Sequence, residues 1–506
     1  MRKHSICLLI VLTLGVALQA SVAVASPPFD LLGDVGSSGG LQARTTPGGS
    51  AAAYFNPALL ADTPAGVTLG FMVLNQRIGI RTDGRPGTEF AVPEGLENSG
   101  HADSSRFDSY AIPTNLLQFG RTKDARHEAF LARPRQGAGS GHSTLTYEVF
   151  GLVVKLFDDR VGIGFHALVP NGEFTKLRAF WNDEREQYFS NSLHPELYSD
   201  RMTALSLAPG VGFKVAEGLS LGIGATIALA ANVVAPTYVV DTGNLGKILI
   251  DMNASVNIGI APHFGASYQI GDRVRLSASV HTPQRIELGT SFTFLLGNGI
   301  EQSSGVSFVL GYTPWQIALG GTLDLLKSET STLSLAATAL YARWSSYVDR
   351  HGDRPVPAYA WADTLSPSLG LRWRLRAVTT WLDATYVPTP VPDQTGRSNY
   401  VDNDRVGGIL GADYRFPLFG TEMKLGASFQ LHGLVPRYQR KLNTPTVPEG
   451  TVVAPDRVKD ELPDDAQLSG EPVAAAKGLQ TNNPGWPGFS SGGFILAGSL
   501  YLTVTL

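Results

Sequence analysis

Between Leu219 and Val233 the chain alternates strictly. Leu219, Leu221, Ile223, Ala225, Ile227, Leu229, Ala231 and Val233 fall on one face, and Ser220, Gly222, Gly224, Thr226, Ala228, Ala230 and Asn232 on the other. A period of two sends successive side chains to opposite faces of a strand. A long apolar face backed by small and polar residues suits a strand with hydrocarbon on one side and a filled interior on the other. The contrast returns at Val161, Ile163, Phe165, Ala167 and Val169, and at Val274, Leu276, Ala278 and Val280 against Arg273, Arg275, Ser277 and Ser279. It returns again at Met423, Leu425, Ala427, Phe429 and Leu431 against Lys424, Gly426, Ser428, Gln430 and His432. Soluble sandwiches alternate too, but their strands are usually about five or six residues long.

The pattern predicts about fourteen strands, an even number that closes an antiparallel barrel. Their spans are 66–82, 143–157, 160–170, 201–216, 218–235, 248–271, 273–297, 303–326, 331–348, 361–375, 376–387, 404–416, 420–435 and 491–506. The span 303–326 contains Thr313-Pro314-Trp315, where proline removes a ladder bond and implies a kink. Connections alternate in length. Tight turns fall at 158–160, 216–218, 271–273, 327–330, 375–376 and 417–420. Longer polar links fall near 83–142, 171–200, 236–247, 349–360, 388–403 and 436–490, with a short one at 297–299. Outer-membrane barrels have this asymmetry, with short periplasmic turns and long outer loops. The last segment, Gly493 to Leu506, keeps Leu500, Leu502, Val504 and Leu506 on one face to the final residue. A closed barrel explains that, because its last strand pairs with its first.

Composition agrees with this reading. The net charge of −4 over 506 residues is dispersed, so no nucleic-acid footprint is visible. Arg2, Lys3, the apolar run Ile6–Leu18 and Ala23-Val24-Ala25 before Ser26 form a signal peptide over 1–25 with an A-x-A cleavage site. The single cysteine, Cys7, lies within it, so the mature chain is expected to have no disulfide or cysteine metal site. No later stretch has the roughly twenty consecutive apolar residues of a membrane helix. A soluble periplasmic β protein and an outer-membrane barrel are the two classes left, and strand length favours the barrel.

Ahead of the first strand stands Pro47-Gly48-Gly49-Ser50-Ala51-Ala52-Ala53-Tyr54-Phe55-Asn56-Pro57-Ala58-Leu59-Leu60. Asn56-Pro57 should stop a short helix there, since a residue before proline is pushed out of the helical region. This stretch resembles the N-terminal hatch of the FadL/TodX family of outer-membrane long-chain fatty-acid and hydrocarbon transporters. Three other stretches are similar to that family. They are Tyr341-Ala342-Arg343-Trp344-Ser345-Ser346-Tyr347, then Tyr386-Val387-Pro388-Thr389-Pro390-Val391-Pro392-Asp393, then Asp402-Asn403-Asp404-Arg405 with the Gly-rich run Gly407–Phe416. The lead-in Gly36–Arg44 and the long first and last outer loops depart from the family pattern.

The resemblance implies an all-β transmembrane antiparallel barrel over 66–506, with residues 26–65 as a plug in its lumen. It implies passive uptake of hydrophobic small molecules, long-chain fatty acids first, with an aromatic-hydrocarbon channel of the same family as the alternative. Tyr54, Phe55, Asn56, Pro57 and Ala58 are the expected plug and ligand residues. Asn56 would tie the plug to the wall, and Tyr54 and Phe55 would face the pocket. The third strand of the family kinks inward to open the wall laterally; here Gly162, Gly164, Pro170, Asn171 and Gly172 are the candidates. No enzyme activity, cofactor or metal is expected. Expected partners are a fatty acid or other hydrophobic small molecule, outer-membrane lipid and lipopolysaccharide, and the barrel assembly machinery, for a chain that is monomeric.

Other motifs are weighed against this. Gly488-Phe489-Ser490-Ser491-Gly492 matches the G-x-S-x-G of hydrolases, but that motif needs a strand–turn–helix elbow and acid and His partners. Asp402 and Asp404 could suggest calcium, yet the other ligands of a calcium loop are missing, and Arg405 is expected to pair with one of them. Asp460, Glu461, Asp464 and Asp465 form an acidic loop patch, read as solvated charge. Trp344, Tyr347, Trp361, Trp381 and Tyr386 read as interfacial girdle residues. A general-diffusion porin would need an open lumen, and an outer-membrane lipid hydrolase a Ser/His constellation that the sequence lacks.

Overall fold

The period-two segments form antiparallel strands that close on themselves. The computed structural model describes residues 27–34, 40–46, 48–83, 137–171, 193, 197, 205–229, 233–235, 249–256, 259–295, 301–349, 352–445, 452–454, 456–459, 464–465, 467–479, 483 and 485–506. The wall strands are β1 (Gly66–Thr82), β2 (Gly137–Leu156), β3 (Val161–Asn171), β4 (Leu205–Ala216) and β5 (Leu219–Leu229). Short β6 (Val233–Ala235) and β7 (Leu249–Val256) leave the wall before β8 (Gly259–Ile270) and β9 (Val274–His281). After β10 (Gln284–Leu295) and β11 (Glu301–Thr313), the wall resumes with β12 (Gln316–Lys327), β13 (Ser331–Ala342), β14 (Thr364–Leu375) and β15 (Val378–Val387). It continues with β16 (Arg405–Leu418) and β17 (Thr421–Arg440). Two short ribbons, β18 (Asn443–Thr444) with β19 (Val458–Lys459) and β20 (Gln467–Leu468) with β21 (Glu471–Pro472), precede the final β22 (Gly488–Thr505).

The barrel order is β1-β2-β3-β4-β5-β8-β9-β12-β13-β14-β15-β16-β17-β22, a ring of fourteen. β22 closes it against β1 from Gly66↔Thr505 to Thr82↔Phe489. Closure leaves no unpaired edge.

Four expected spans are each two strands. The span 218–235 divides into β5 and β6, and 248–271 into β7 and β8. The spans 273–297 and 303–326 break side by side, since His281 pairs with Gln316 below and Gln284 with Thr313 above. Pro283 lies in one gap and Pro314 in the other, and neither can donate a ladder bond. Beyond the breaks, β11-β10-β7-β6 form a separate four-stranded sheet. β17 also runs five residues past its expected end, passing Pro436 through a register shift between Leu434 and Arg437.

All six tight connections are where the turn residues predict. The β2–β3 turn carries positive φ at Phe157, Asp158 and Asp159, and the β4–β5 turn at Gly218. Outward positions form an apolar belt. Leu69, Leu319, Leu365, Leu369, Leu382, Leu410 and Leu500 are each more than half exposed. Inward neighbours such as Ser220, Thr226, Ser277, Ser279, Ser366, Ser368, Gln430 and His432 are buried. With Phe150, Phe213, Ile223, Phe264 and Leu276 on the other strands also exposed, the apolar surface exceeds what a water-facing surface tolerates and fits a barrel set in lipid. No described helix is long and apolar enough to cross a membrane.

Candidate functional site

Within the ring the N-terminal segment is folded and buried. A short helix, Ala52–Phe55, stops at Asn56, whose φ of −161° and ψ of 95° are extended, as a residue before proline requires. Pro57 then begins a 3-10 turn, Pro57–Ala61, where its missing N–H costs nothing. The Asn56 side chain does two jobs. Its Oδ1 accepts from the Ala58 N–H at 3.2 Å and caps the turn. Its Nδ2 donates to Arg44 O at 3.1 Å, Ala278 O at 3.3 Å and Ala266 O at 3.4 Å, which joins the segment to β8 and β9.

One side of the barrel meets this segment through glycine. A Cβ on Gly162 would stand 2.1 Å from Leu60 O, and one on Gly164 2.4 Å from Leu60 Cδ2. On Gly212 it would stand 2.4 Å from Pro57 O, and on Gly222 2.3 Å from the Ala58 nitrogen. On Gly224 it would lie 2.8 Å from Ala53 O, and on Gly265 2.0 Å from Asn56 Oδ1. The wall here is shaved to backbone so that another backbone can lie against it. Three wall histidines complete this contact. His263 donates through Nε2 to Ala53 O at 2.6 Å, and His281 through Nε2 to Phe55 O at 3.4 Å. Their rings stack at 4.7 Å with Tyr54 edge-on to both. His166 Nδ1 is 3.0 Å from Ser50 Oγ.

The other side uses side-chain bonds. Gln42 Nε2 donates to Ser368 Oγ at 3.2 Å and Ala336 O at 3.4 Å, and Gln42 Oε1 accepts from Thr338 Oγ1 at 3.0 Å. Buried Arg44 donates through Nη2 to Asp30 Oδ1 at 2.9 Å and to Gln316 Oε1 at 2.6 Å. Asp30 also accepts from the Tyr54 hydroxyl at 2.8 Å and Gln316 Nε2 at 2.8 Å. Gln430 Nε2 donates to Leu32 O at 2.6 Å.

Two spaces lie at opposite ends of the lumen. Toward the tight turns is a vestibule of about 670 Å³ bordered by charged residues, among them Asp34, Asp62, Arg275, Arg372, Asp413 and Lys424. Toward the long connections is a cavity of about 120 Å³ bordered by Leu31, Leu41, Leu340, Ala342, Trp344, Val387, Pro388 and Pro390. Asp30, Asp402 and Arg405 border it as well. Behind Trp344 stands an aromatic cluster, with Trp361 at 5.5 Å and Tyr312 at 6.4 Å. Tyr347 and Trp361 stack at 3.6 Å.

The residues singled out in the sequence fall as follows. Tyr54, Phe55, Asn56, Pro57 and Ala58 are all buried in the segment. Tyr54 and Phe55 do not border the outer cavity, contrary to expectation. Their rings pack on Phe29, the two stacked histidines and the Arg44 guanidinium instead. Gly162 and Gly164 face Leu60. Pro170 and Asn171 end β3, where they pair with Tyr147 and Thr146 of β2. β3 pairs with β4 from Val161 to Leu168. Gly172 lies outside the described residues, as do Asp460, Glu461 and the signal segment 1–25.

Arg405 forms no ion pair with Asp402 or Asp404. Asp404 is satisfied by the Tyr386 hydroxyl at 2.7 Å and the Thr389 N–H at 2.8 Å, and Asp402 Oδ2 accepts from Thr389 Oγ1 at 2.5 Å. No group of metal-ligating side chains occurs among the described residues. The girdle assignment fails for Tyr347, Trp361 and Trp381, which are buried in the interior, whereas Tyr386 is exposed. Ser490 lies within β22, paired with Arg81, so the G-x-S-x-G sequence has no elbow. Asp464 accepts from the Gly478 N–H at 3.1 Å.

Sequence reasoning missed the glycine wall, although its signal was present. β4 and β5 are joined by a two-residue turn, and a register shift between Lys214 and Ala216 then sets Gly212 against Gly222 and Gly210 against Gly224. Inward glycine at matched heights on neighbouring strands announces something lying against them.

No protein-family model and no curated protein sequence matches the chain. Among solved structures it is similar to a Pseudomonas aeruginosa FadL homologue, at 14% identity over 96% of this chain and 99% of that one, with a TM-score of 0.50. The Pseudomonas putida toluene transporter TodX aligns at 12% identity over 93% and 99%, with a TM-score of 0.43. The Ralstonia pickettii toluene transporter TbuX aligns at 12% over 95% and 98%, with a TM-score of 0.41. The first of these shares the architecture from end to end, and the chain is therefore a closed fourteen-stranded barrel with the fold of the FadL homologue.

Proposed function

We propose that the chain is an outer-membrane channel for passive uptake of hydrophobic small molecules, with residues 26–65 as its plug. The observation that carries this reading is a small apolar cavity at the outer end of the lumen, separated from a charged vestibule by a segment packed against strands on both sides. An apolar solute crosses a charged lipopolysaccharide layer slowly. A lumen that offers apolar surface at its outer end gives the solute a place to bind. A plug behind that site stops water-soluble traffic.

Leu60 fills the space inside Gly162 and Gly164. Sideways exit past β3, near Gly162, Gly164, Pro170, Asn171 and Gly172, therefore requires the segment around Phe55-Asn56-Pro57-Ala58 to move first. Plug movement and lateral opening become one event. Long-chain fatty acids and aromatic hydrocarbons are the two ligand classes. A cavity of about 150 Å³ holds one benzene ring, so the 120 Å³ cavity is on the scale of a single ring, not of an acyl chain. A long acyl chain would fit only after the segment shifts.

The test is paired. Purified full-length protein in liposomes should give no swelling with arabinose, and cells expressing it should take up toluene or oleate faster than controls. Swelling with the sugar, or failure to take up either apolar probe, would overturn the proposal.

A further inference from the structure

Three exposed tyrosines mark where the apolar belt ends on the side of the long connections. Each donates its hydroxyl to a carboxylate across the wall: Tyr341 to Asp363 Oδ2 at 2.5 Å, Tyr386 to Asp404 Oδ2 at 2.7 Å and Tyr438 to Asp83 Oδ2 at 2.8 Å. A side chain with an apolar body and a polar tip belongs at a membrane boundary. Below this level the outward residues are apolar, Leu69 and Phe71 on β1 and Leu425, Phe429 and Leu431 on β17.

At the third tyrosine the wall is also basic. β1, β22 and β17 are neighbours, and Ser490 of β22 pairs with Arg81 on one side and Tyr438 on the other. Arg440 lies two residues further out on β17, opposite Gly488, and Arg77 four residues further in on β1, opposite Phe494. All three arginines are exposed, whereas the alternate positions Gln76, Ile78, Ile80, Thr82 and Gln439 are buried. The arginines therefore stand on the outer surface of the cylinder. Arg77 is oriented there, with Nε donating to Asn75 Oδ1 at 3.1 Å and the guanidinium carbon 5.6 Å from the centre of the Phe494 ring. Among the described residues none of the three forms an ion pair. The carboxylate beside them, Asp83, accepts from Tyr438. Between Arg77 and Arg81 the surface is bare, because Gly79 pairs with Gly492 and neither has a side chain.

We infer that the outward face of β1, β22 and β17 is a docking surface for an outer-leaflet lipid whose head carries phosphate groups, with Arg77, Arg81 and Arg440 as the phosphate ligands. This goes beyond the uptake reading and does not depend on it. The surface is continuous with the belt, so acyl chains lying on Phe71, Phe429 and Leu431 bring the head to the level of Tyr438. Guanidinium matches phosphate through two parallel N–H bonds. Strands lie about 4.8 Å apart and residues rise about 3.3 Å, which puts Arg440 about 12 Å and Arg77 about 13 Å from Arg81, Cα to Cα. Such spacing suits a head with more than one phosphate, each taken by its own arginine, as in the diphosphorylated glycolipid of lipopolysaccharide. A lone exposed ion pair contributes little. Here the buried acyl chains hold the phosphates beside the arginines, and each further contact is made within one complex.

The experiment titrates the purified full-length chain in detergent with diphosphoryl lipid A, with lipid A stripped of its phosphates and with inorganic phosphate, and counts retained lipid by native mass spectrometry. Diphosphoryl lipid A should bind at least tenfold tighter than the stripped form, and inorganic phosphate should not displace it. The triple variant Arg77→Gln, Arg81→Gln, Arg440→Gln should lose at least tenfold in affinity for diphosphoryl lipid A and nothing for the stripped form. A second triple variant, Arg160→Gln, Arg273→Gln, Arg376→Gln, removes the same charge from exposed positions at the tight turns and should bind as the unmodified chain does. Equal binding of the two lipids would overturn the inference. So would equal loss in both variants, which would reduce the effect to net charge, or displacement by inorganic phosphate, which would make the patch an ion site. Should the first variant not assemble, the two lipids compared on the unmodified chain decide the matter.

Discussion

The two walls that hold the N-terminal segment use different physics. From β3 to β8 the wall is bare backbone, which lies against the segment's backbone at Gly162, Gly212, Gly222 and Gly224 and against the Leu60 and Asn56 side chains at Gly164 and Gly265. From β12 to β17 it is carried by long side chains, with Gln42, Arg44 and Gln430 bridging the gap. A backbone contact is short-ranged and loses its fit when a single methyl is added. Side-chain bonds are directional, individually modest and replaceable by water. On this physics the glycine wall would fix where the segment sits, and the polar wall would set how readily it leaves. A segment held this way would pivot on the glycine side and release from the polar side first.

The largest expected effect breaks the glycine side. Gly222→Val adds a branched side chain whose first atom falls 2.3 Å from the Ala58 nitrogen and the Pro57 carbonyl carbon. Neither partner can move without the whole turn moving. The segment should be expelled from a barrel that still closes. Residues 48–63 should become open to protease, and arabinose swelling should rise more than tenfold. Gly433→Ala, where a Cβ would have nothing nearer than 3.9 Å, should change neither. If Gly222→Val keeps the segment protected, the glycine wall is not what positions it.

Asn56→Ala tests the hinge between the walls. It removes one accepted and three donated bonds and leaves the buried Ala58 N–H and the Arg44 carbonyl short of this partner, while Ala266 and Ala278 stay paired within the wall. The cost to docking of the segment should be about 4 kcal/mol, since an unsatisfied buried polar group costs about 1–3 kcal/mol. Barrel closure between β1 and β22 does not involve Asn56 and should survive. Faster hydrogen exchange across residues 52–61, with unchanged exchange in β22, is the expected result. Unchanged uptake of an apolar probe would separate Asn56 from transport.

The outer end of the polar side adds a pH dependence. Burial pushes the Asp402 carboxyl up to about 6, with hydrogen bonds from Thr389 and the Asn403 N–H, and then Arg405 and Arg437, acting against it. The sign follows from a raised acid. Above pH 6 the folded loop carries the full cost of a buried charge. As pH falls through 6 toward 3.8 that cost is relieved, so this loop gains stability in mild acid, by at most about 3 kcal/mol. Hydrogen exchange of residues 401–404 should slow between pH 7 and pH 4.5, after correction for intrinsic rates, and Asp402→Asn should flatten the change. A loop that loosens over that range would refute the assignment.

The barrel was legible because membrane strands write themselves as a period of two, and Leu219 to Leu229 obeys it without exception. The four strands that leave the wall were not, because β10 continues the alternation of β9 and β11 alternates as a wall strand does. Only Pro283 and Pro314 mark the departure, and only Pro314 drew notice. Asn56-Pro57 showed where a helix must stop, which is a local matter of dihedral angles. What that helix touches is not local. Tyr54 and Phe55 were read as pocket residues by resemblance to the hatch, yet His263 and His281 reach them from strands more than two hundred positions away. The outer cavity draws on Leu31, Leu340, Val387 and Asp402, with no linear motif among them.

The smallest expected effect separates the two walls most cleanly. Gln42→Ala removes the bonds to Ser368, Ala336 and Thr338. Thr338 keeps a partner in Thr45 Oγ1 at 2.9 Å, and Ser368 keeps one in Ala384 O at 3.1 Å. With both hydroxyls still satisfied, the loss should be about 1 kcal/mol. The segment should stay in place and shielded from protease, while its opening rate, read by hydrogen exchange at residues 42–46, rises about fivefold. Exchange at residues 58–61, against the glycines, should not follow. If both stretches loosen together, the segment opens as one rigid body, and the division into a fixed side and a releasing side is wrong.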